Sequence, residues 1–148
     1  WANNGEWAGT TGKGLQMEAL EIKKSMFSVE PHVQSKGWLS PRAAENVIGI
    51  TGHALRLEAI RINPYGKTIK AKVHIQSKGW VDYGMITKDT IIGTVGEKKR
   101  IECLCFEGDF EYRVHIQNSG WTDWTRADGV ATLGTVGQEL RIEAIQFR

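Results

Sequence analysis

The octapeptide VHIQNSGW, from Val114 to Trp121, has two close variants elsewhere in this chain of 148 residues. It returns as VHIQSKGW from Val73 and, one residue shorter, as HVQSKGW from His32. The histidines of the three copies lie 42 and 41 residues apart. A repeated core position does not need histidine, so the phrase His-x-Gln-x-x-Gly-Trp indicates a repeated structure, a repeated ligand site, or both.

A second phrase, Gly-[Thr/Ile]-x-Gly followed by an apolar strand, follows each copy of the first and also stands once before them. It begins at four glycines that lie 40, 44 and 41 residues apart: Gly9, Gly49, Gly93 and Gly134. Together the two phrases predict a repeat of about 41 residues. We expect a three-repeat domain over residues 25–148, with repeats at about 25–66, 67–108 and 109–148, preceded by a partial repeat at residues 1–24.

Each repeat has the pattern of four short strands. In the last copy these are YRVHIQ, WTDWTR, VATLG and ELRIEAIQF, with Val114 and Ile116 alternating with polar neighbours in the first. The short connections predict an antiparallel meander. In an earlier copy the fourth strand loses its alternation at Ile60 and Ile62, which indicates a bulge or burial on both faces. The proline-containing stretch from Leu39 to Val47 is interpreted as a variant second strand and loop rather than a helix.

A four-stranded unit of this size leaves one face exposed, so the three copies must bury their apolar faces against one another. The sequence therefore predicts an all-β fold, a pseudo-threefold repeat of four-stranded antiparallel units. A β-prism-like arrangement of three sheets is favoured, because the hairpins are short, and a β-trefoil is the alternative. The partial repeat would then pair with a sheet edge, close the ring, or belong to a neighbouring module.

The bulk composition excludes several classes of function. A net charge of +2, with nineteen basic residues largely balanced by seventeen acidic ones, does not favour nucleic acid as a partner. No run of about 18 apolar residues occurs, so membrane insertion is not expected. The chain begins with Trp1 rather than methionine, which suggests a fragment or a processed product.

Neither an enzyme site nor a metal site is expected. The sequence has no serine with a matching histidine and acid, and no carboxylate pair that breaks the repeat symmetry. Cys103 and Cys105 share one face of a strand and occur in one copy only, which disfavours a mutual disulfide and a metal site. The four histidines are too dispersed to share a metal ion. No cofactor is expected.

The ordered phrases resemble those of the ChW family, the clostridial hydrophobic repeats with a conserved tryptophan. The resemblance covers nearly the whole chain, and Trp38, Trp80 and Trp121 match the signature tryptophan. Trp1 fits the second aromatic position, occupied by Tyr83 in a later copy, so the partial repeat lacks the signature Gly-Trp. The family implies secretion from Gram-positive anaerobes, an extracellular or cell-wall location, and binding of polysaccharide or surface components.

The repeated polar and aromatic side chains are the candidate ligand-binding residues. An indole can stack on the apolar face of a sugar, while glutamine and histidine can bind hydroxyl groups. The candidates are His32, Gln34, Trp38, His74, Gln76, Trp80, Tyr83, His115, Gln117, Trp121 and Trp124. Two alternatives stand beside this interpretation: packing between repeats for the tryptophans, and hydrogen bonds to neighbouring turns for the histidines and glutamines.

A recurring Arg-x-Glu on the fourth strand is interpreted as an ion-pair ladder: Arg56 with Glu58, Arg100 with Glu102, and Arg141 with Glu143. The favoured function is a non-catalytic module that binds carbohydrate or a cell surface through three weak, multivalent sites. The expected partner is a polysaccharide or glycoconjugate. The alternative is a structural or protein-interaction repeat, acting in adhesion, assembly or spacing, with self-association through an open sheet edge.

Overall fold

The computed structural model of the protein describes residues 13–14 and 25–148, and these form strands, turns and irregular segments without any helix. The described part of the chain accordingly offers no helix that could cross a membrane. The strands are β1 (Ser28–Val33), β2 (Gly37–Trp38), β3 (Arg42–Ala43), β4 (Ile48–Gly49), β5 (Leu57–Asn63), β6 (Lys70–Ile75), β7 (Gly79–Met85), β8 (Ile92–Gly93), β9 (Ile101–Ile116), β10 (Gly120–Trp121), β11 (Thr125–Asp128), β12 (Leu133–Gly134) and β13 (Ile142–Phe147).

The all-β prediction is confirmed, and the described strands fall into three units with the same sequence of elements. Strands β1 to β5 make the first unit, with β2 and β3 as two pieces of its second strand. Strands β6 to β8 and the first part of β9 make the second. Strand β9 continues for 16 residues and then serves as the first strand of the third unit, which β10 to β13 complete. Arg42 and Ala43 pair with β1, as expected for a variant second strand.

The strands do not pair in the order of a meander, so that part of the prediction is wrong. In each unit the first strand lies between the second and the fourth, as in the order β2-β1-β5. The short third strand leaves its own unit and pairs with the fourth strand of the unit before it: β8 with β5, and β12 with β9. Strand β4 pairs with β13 in the same way, which closes a ring of three units. A two-residue strand carries no periodicity that could have revealed its partner.

The described strands form two antiparallel sheets, of five and eight strands, because the long strand β9 belongs to two units, and these sheets do not close into a barrel. A trefoil, the alternative expectation, requires such a barrel, so the pairing agrees better with the favoured prism-like arrangement of units. The inner faces of all three units meet in one apolar core. Five aromatic rings pack together in that core, with centroids 5.0 to 6.5 Å apart and all pairs edge to face except the tilted pair of Tyr112 and Phe147: Phe27, Phe106, Phe110, Tyr112 and Phe147.

Each fourth strand contains a β-bulge opposite the histidine of the first strand. His32 pairs with Ala59 and Val33 with Leu57, so Glu58 is the extra residue. Glu102 and Glu143 are the extra residues at the same point in the other units. A bulge changes the direction of the strand and leaves backbone groups unpaired. It explains why alternation fails along this strand, as the sequence indicated.

The bulge also forms the junction between neighbouring units. The carbonyl of Glu58 accepts a hydrogen bond from the backbone N–H of Thr94 at 2.9 Å, immediately after Gly93. Gly93 has φ of +110°, and a Cβ there would overlap the Glu58 carbonyl and lie 2.8 Å from the Cα of Ala59. Only glycine permits this approach. We call this residue and its two counterparts the junction glycines: Gly49, Gly93 and Gly134.

Candidate functional site

Each unit carries a set of four side chains in contact with one another: the glutamate at the bulge, an arginine, a histidine and the signature tryptophan. In the middle unit, Glu102 is 5% exposed and its Oε2 lies 3.0 Å from Nδ1 of His74. Its other oxygen accepts hydrogen bonds from Arg100, with Nε at 2.8 Å and the terminal nitrogen at 2.7 Å. The bulge aims the carboxylate at the facing histidine, so the local kink in the strand creates the cluster.

The other two units repeat this geometry closely. The distance from the histidine Nδ1 to the glutamate is 3.2 Å in both, for His32 with Glu58 and for His115 with Glu143, but only His74 of the middle unit makes a hydrogen bond to its glutamate. Arginines bind the second oxygen of each glutamate at 2.7 to 3.0 Å. The ion pairs expected from Arg-x-Glu are therefore present. They run within one strand, and a histidine completes each of them.

Each histidine ring also meets the signature tryptophan of its own unit edge to face. The ring centroids are 5.2 Å apart for His32 and Trp38, 5.5 Å for His74 and Trp80, and 5.4 Å for His115 and Trp121, at angles of 78° to 81°. The turn between the strands brings the two rings into register, since His74 pairs directly with Trp80. The chain Arg–Glu–His thus fixes the orientation of each indole.

The side chains of Gln34, Gln76 and Tyr83 form hydrogen bonds with backbone groups. The side-chain oxygen of Gln34 accepts from the N–H of Arg56 at 3.4 Å, and Gln76 does the same for Arg100. The hydroxyl of Tyr83 donates to the carbonyl of Gly93 and accepts from its N–H. These contacts favour the structural alternative left open for these side chains.

The three tryptophans differ in what covers the indole face. The guanidinium of Arg61 lies 4.0 Å above the ring of Trp38 and is held by Glu30 at 3.1 Å. In the third unit, Arg113 lies 4.7 Å above Trp121 and is held by Gln146 at 2.8 Å. Guanidinium stacking of this kind is a cation–π contact, so one face of Trp38 and one face of Trp121 are already occupied.

The ring of Trp124, at the second aromatic position, is also covered by guanidinium groups. Arg113 lies 4.6 Å from its ring and Arg148 lies 4.5 Å from it. Neither arginine was among the candidates from sequence, and neither was Arg61. The signal that could have found them is a comparison of the copies at equivalent positions, where Arg61 aligns with Cys105 and Gln146.

Trp80 of the middle unit stands apart from the other two signature tryptophans. It is 47% exposed, and no Arg or Lys of the described residues stacks on its ring. The residue at the position of Arg61 is Cys105, which is too short to reach it. Lys72, at the position of Arg113, instead reaches Asp82 at 3.5 Å.

A groove of about 240 Å³ lies along the strands from Trp80, since its lining residues Lys72 and Asp82 pair two residues away from the pair of His74 with Trp80. Its lining includes Lys70, Lys72, Asp82, Cys105 and Glu107. The backbone N–H of Gly84 donates to Asp82 at 2.9 Å and lowers the pKa of that carboxyl, with the neighbouring lysine acting in the same direction. Burial raises the pKa of the Cys105 thiol, so the cysteine is a neutral wall of the groove at physiological pH.

Cys103 and Cys105 are both buried free thiols. Burial raises the pKa of Cys103 as well. Within residues 25–148 no group of three or more histidine, cysteine or acidic side chains is placed to hold a metal ion. Trp1 and the first copy of the second phrase lie outside the described residues.

Comparison with known proteins identifies a family. The model of a family described as Clostridial hydrophobic W, or ChW, matches residues 1–24, 32–64 and 115–148, which is more than half of the chain. The middle unit, with its uncovered tryptophan, falls between the last two matched regions. No curated protein and no solved structure matches the chain.

Proposed function

Since this chain belongs to the ChW family, we propose that it is a non-catalytic repeat module that binds carbohydrate of a cell surface, outside the cell that makes it. The observation that carries the proposal is the orientation of each indole by a buried Arg–Glu–His chain. Such a chain fixes a large flat apolar surface at the protein exterior. A fixed aromatic surface loses little entropy on binding, which suits a sugar ring that offers few other contacts.

The side chains that surround the indoles support binding rather than chemistry. The Arg–Glu–His chains occur three times, whereas a catalytic centre usually needs one unique set of groups. Glu102 is occupied on both oxygens, by Arg100 and by His74, and in the other two units an arginine binds one oxygen while a histidine nitrogen lies 3.2 Å from the other. We therefore assign these carboxylates to positioning of the tryptophans.

The test is retention of the 148-residue protein on insoluble cellulose, xylan, mannan and chitin, on polygalacturonate, and on bacterial cell walls. We expect saturable retention on at least one of these and release by the soluble form of the same polysaccharide. The control is the protein unfolded in urea and diluted directly onto the solid, which measures the retention of chains that are not folded. Absence of saturable retention on every solid would contradict the proposal.

One observation favours a second function, a protein-interaction module. Strand β7 extends over seven residues, Gly79–Met85, and ends its sheet as far as the described strands go. Met85 on this strand is 65% exposed. An open edge of this length can accept a strand from another chain. Concentration-dependent oligomers in sedimentation velocity, abolished by Val81→Pro, together with no retention on polysaccharide, would favour this function.

A further inference from the structure

We infer that the three units are unequal, and that the middle unit alone presents an open site, formed by Trp80 and the groove beside it, for a neutral oligosaccharide chain. This inference rests on the proposed function and deepens it. It replaces three equivalent sites with one open site and two that the protein's own arginines occupy.

Two positions that are equivalent in the three units carry this inference. The first, two residues before the histidine, is Glu30, Lys72 or Arg113. The second, on the facing fourth strand, is Arg61, Cys105 or Gln146. In the outer units these two positions bind each other and hold one guanidinium over the indole. The middle unit has lysine and cysteine there, and they cannot form such a pair.

The guanidiniums act as internal competitors for the indole faces. A sugar that stacked on Trp38 would have to displace Arg61 and break its ion pair with Glu30. The same cost applies at Trp121, where the displaced group would lose its bonds to Gln146. No such cost applies at Trp80, so a sugar binds there with more of its stacking energy retained.

The charges around the groove favour a neutral ligand. Lys70 binds Glu107 at 2.9 Å, and Lys72 lies 3.5 Å from Asp82. A charged sugar would have to separate one of these pairs, whereas hydroxyl groups can share hydrogen bonds with both members. The groove therefore combines paired charges at its rim with a flat indole at its end, which fits an uncharged polyhydroxylated chain.

The length of the site indicates a chain rather than a single sugar. Trp80, Asp82 and Gly84 follow one another along β7, and although a bulge at Tyr83 shortens this stretch relative to the roughly 13 Å of four regular strand residues, it still exceeds the width of one sugar ring. The indole and the far wall of the groove are thus further apart than one pyranose ring can reach. An oligosaccharide laid along β7 would contact both.

The experiment compares matched variants on the neutral polysaccharides and on polygalacturonate. Trp80→Ala should weaken retention on a neutral polysaccharide roughly tenfold or more, as expected for an aromatic anchor. The matched variant Trp38→Ala should weaken retention much less than Trp80→Ala, because Arg61 already covers the indole of Trp38. Lys72→Arg with Cys105→Gln copies the Arg113–Gln146 pair and should close the middle unit, again weakening retention. Arg61→Cys should open Trp38 and increase binding capacity.

Accessibility of the indoles gives a readout that does not depend on the ligand. Acrylamide should quench the fluorescence of the double variant less than that of the wild type, and that of Arg61→Cys more, if the arginines control the faces. Equal loss of retention for Trp80→Ala and Trp38→Ala would overturn the inference and leave the proposed function intact. Retention on polygalacturonate alone would overturn the neutral class. No retention of the wild type on any solid would overturn the proposed function and the inference with it.

Discussion

Glu102 serves two partners with one carboxylate, and its backbone serves a third. Its side chain binds Arg100 and His74, while its carbonyl accepts the N–H of Thr135 from the next unit at 2.8 Å. Removing one member of a buried ionic cluster leaves the others without compensation. The glutamate is therefore more important for stability than a surface ion pair of the same chemistry.

We predict that Glu102→Ala lowers the free energy of unfolding by about 3 kcal/mol. The side chain is 6% exposed, so its loss strands the guanidinium of Arg100 in a poorly solvated place. The control is Glu97→Ala, whose ion pair with Lys78 is largely exposed and should cost less than about 1 kcal/mol. Urea denaturation followed by circular dichroism measures both. Equal costs would contradict the role given to the buried cluster.

The turn carboxyl of Asp128 gives a prediction of pH dependence. Its Oδ1 accepts the backbone N–H groups of Val130 and Ala131, each at 2.8 Å. These hydrogen bonds, that of Ala131 first, hold the pKa of Asp128 below its ordinary value of 3.8. A carboxyl with a lowered folded-state pKa adds stability above its unfolded pKa, and this stability is lost as the pH falls through the folded pKa.

Asp128→Asn should therefore lower the melting temperature at neutral pH, and the difference from the wild type should shrink as the pH falls below 3.8. The control is Asp123→Asn, since that carboxylate accepts no hydrogen bond within the described residues. Thermal melts across the acid range measure the effect. A difference that stays constant with pH would show that the hydrogen bonds, and not the charge, account for it.

At the scale of the strands, the junction glycines determine which sheets can meet. Gly93 and Gly96 belong to the same phrase and both have positive φ, +110° and +78°. A Cβ on Gly93 would meet the backbone of β5, whereas one on Gly96 would meet nothing within 4 Å. The two positions therefore separate the cost of close approach from the cost of backbone conformation.

We expect Gly96→Ala to cost about 1 kcal/mol, the penalty for a left-handed residue with a side chain. Gly93→Ala should cost clearly more, because β8 must move away from β5 and the hydrogen bond from Thr94 to Glu58 is lost. Urea denaturation of the two variants checks this. Similar costs for both would mean that the junction can relax to admit a methyl group.

The limits of prediction from sequence also belong to this scale. Repeats, strand positions and the bulge near Ile60 could be read from residue patterns, because long strands carry a period of two. The partner of β8 could not be read, since Ile92 and Gly93 alone define it. The covered indoles were not predicted either, because Arg61 and Arg113 reach their tryptophans from different strands, and only a comparison of both equivalent positions across the copies points to them.

At the scale of the whole molecule, the exchange of third strands couples the three units. Strand β13 pairs with β9 and also with β4 of the first unit, and the backbone N–H of Phe147 bonds to the carbonyl of Ala44. Damage in the third unit should therefore reach the other two. This differs from linear repeat proteins, in which an end unit can unfold alone.

The prediction concerns Ile145→Ala in β13, where the side chain is fully buried and its truncation should cost about 3 kcal/mol. The thiol of Cys103, in the middle unit, is protected by burial, and in a Cys105→Ala background it should react with a disulfide reagent only on unfolding. With Ile145→Ala added, this thiol should become reactive at the same urea concentration at which circular dichroism reports loss of strands. A thiol that remains protected at higher urea would show that the units unfold separately.

The pairing of β4 with β13 has a consequence for how genes of this family can change in length. The third strand of each repeat pairs with the fourth strand of a neighbouring repeat, and three such pairings close a ring. A fourth repeat inserted into the circle would have to widen the angle between every pair of sheets around the same core. Deleting one would leave a strand without a host. Gain and loss of repeats should therefore be tolerated in whole circles of three and selected against one at a time.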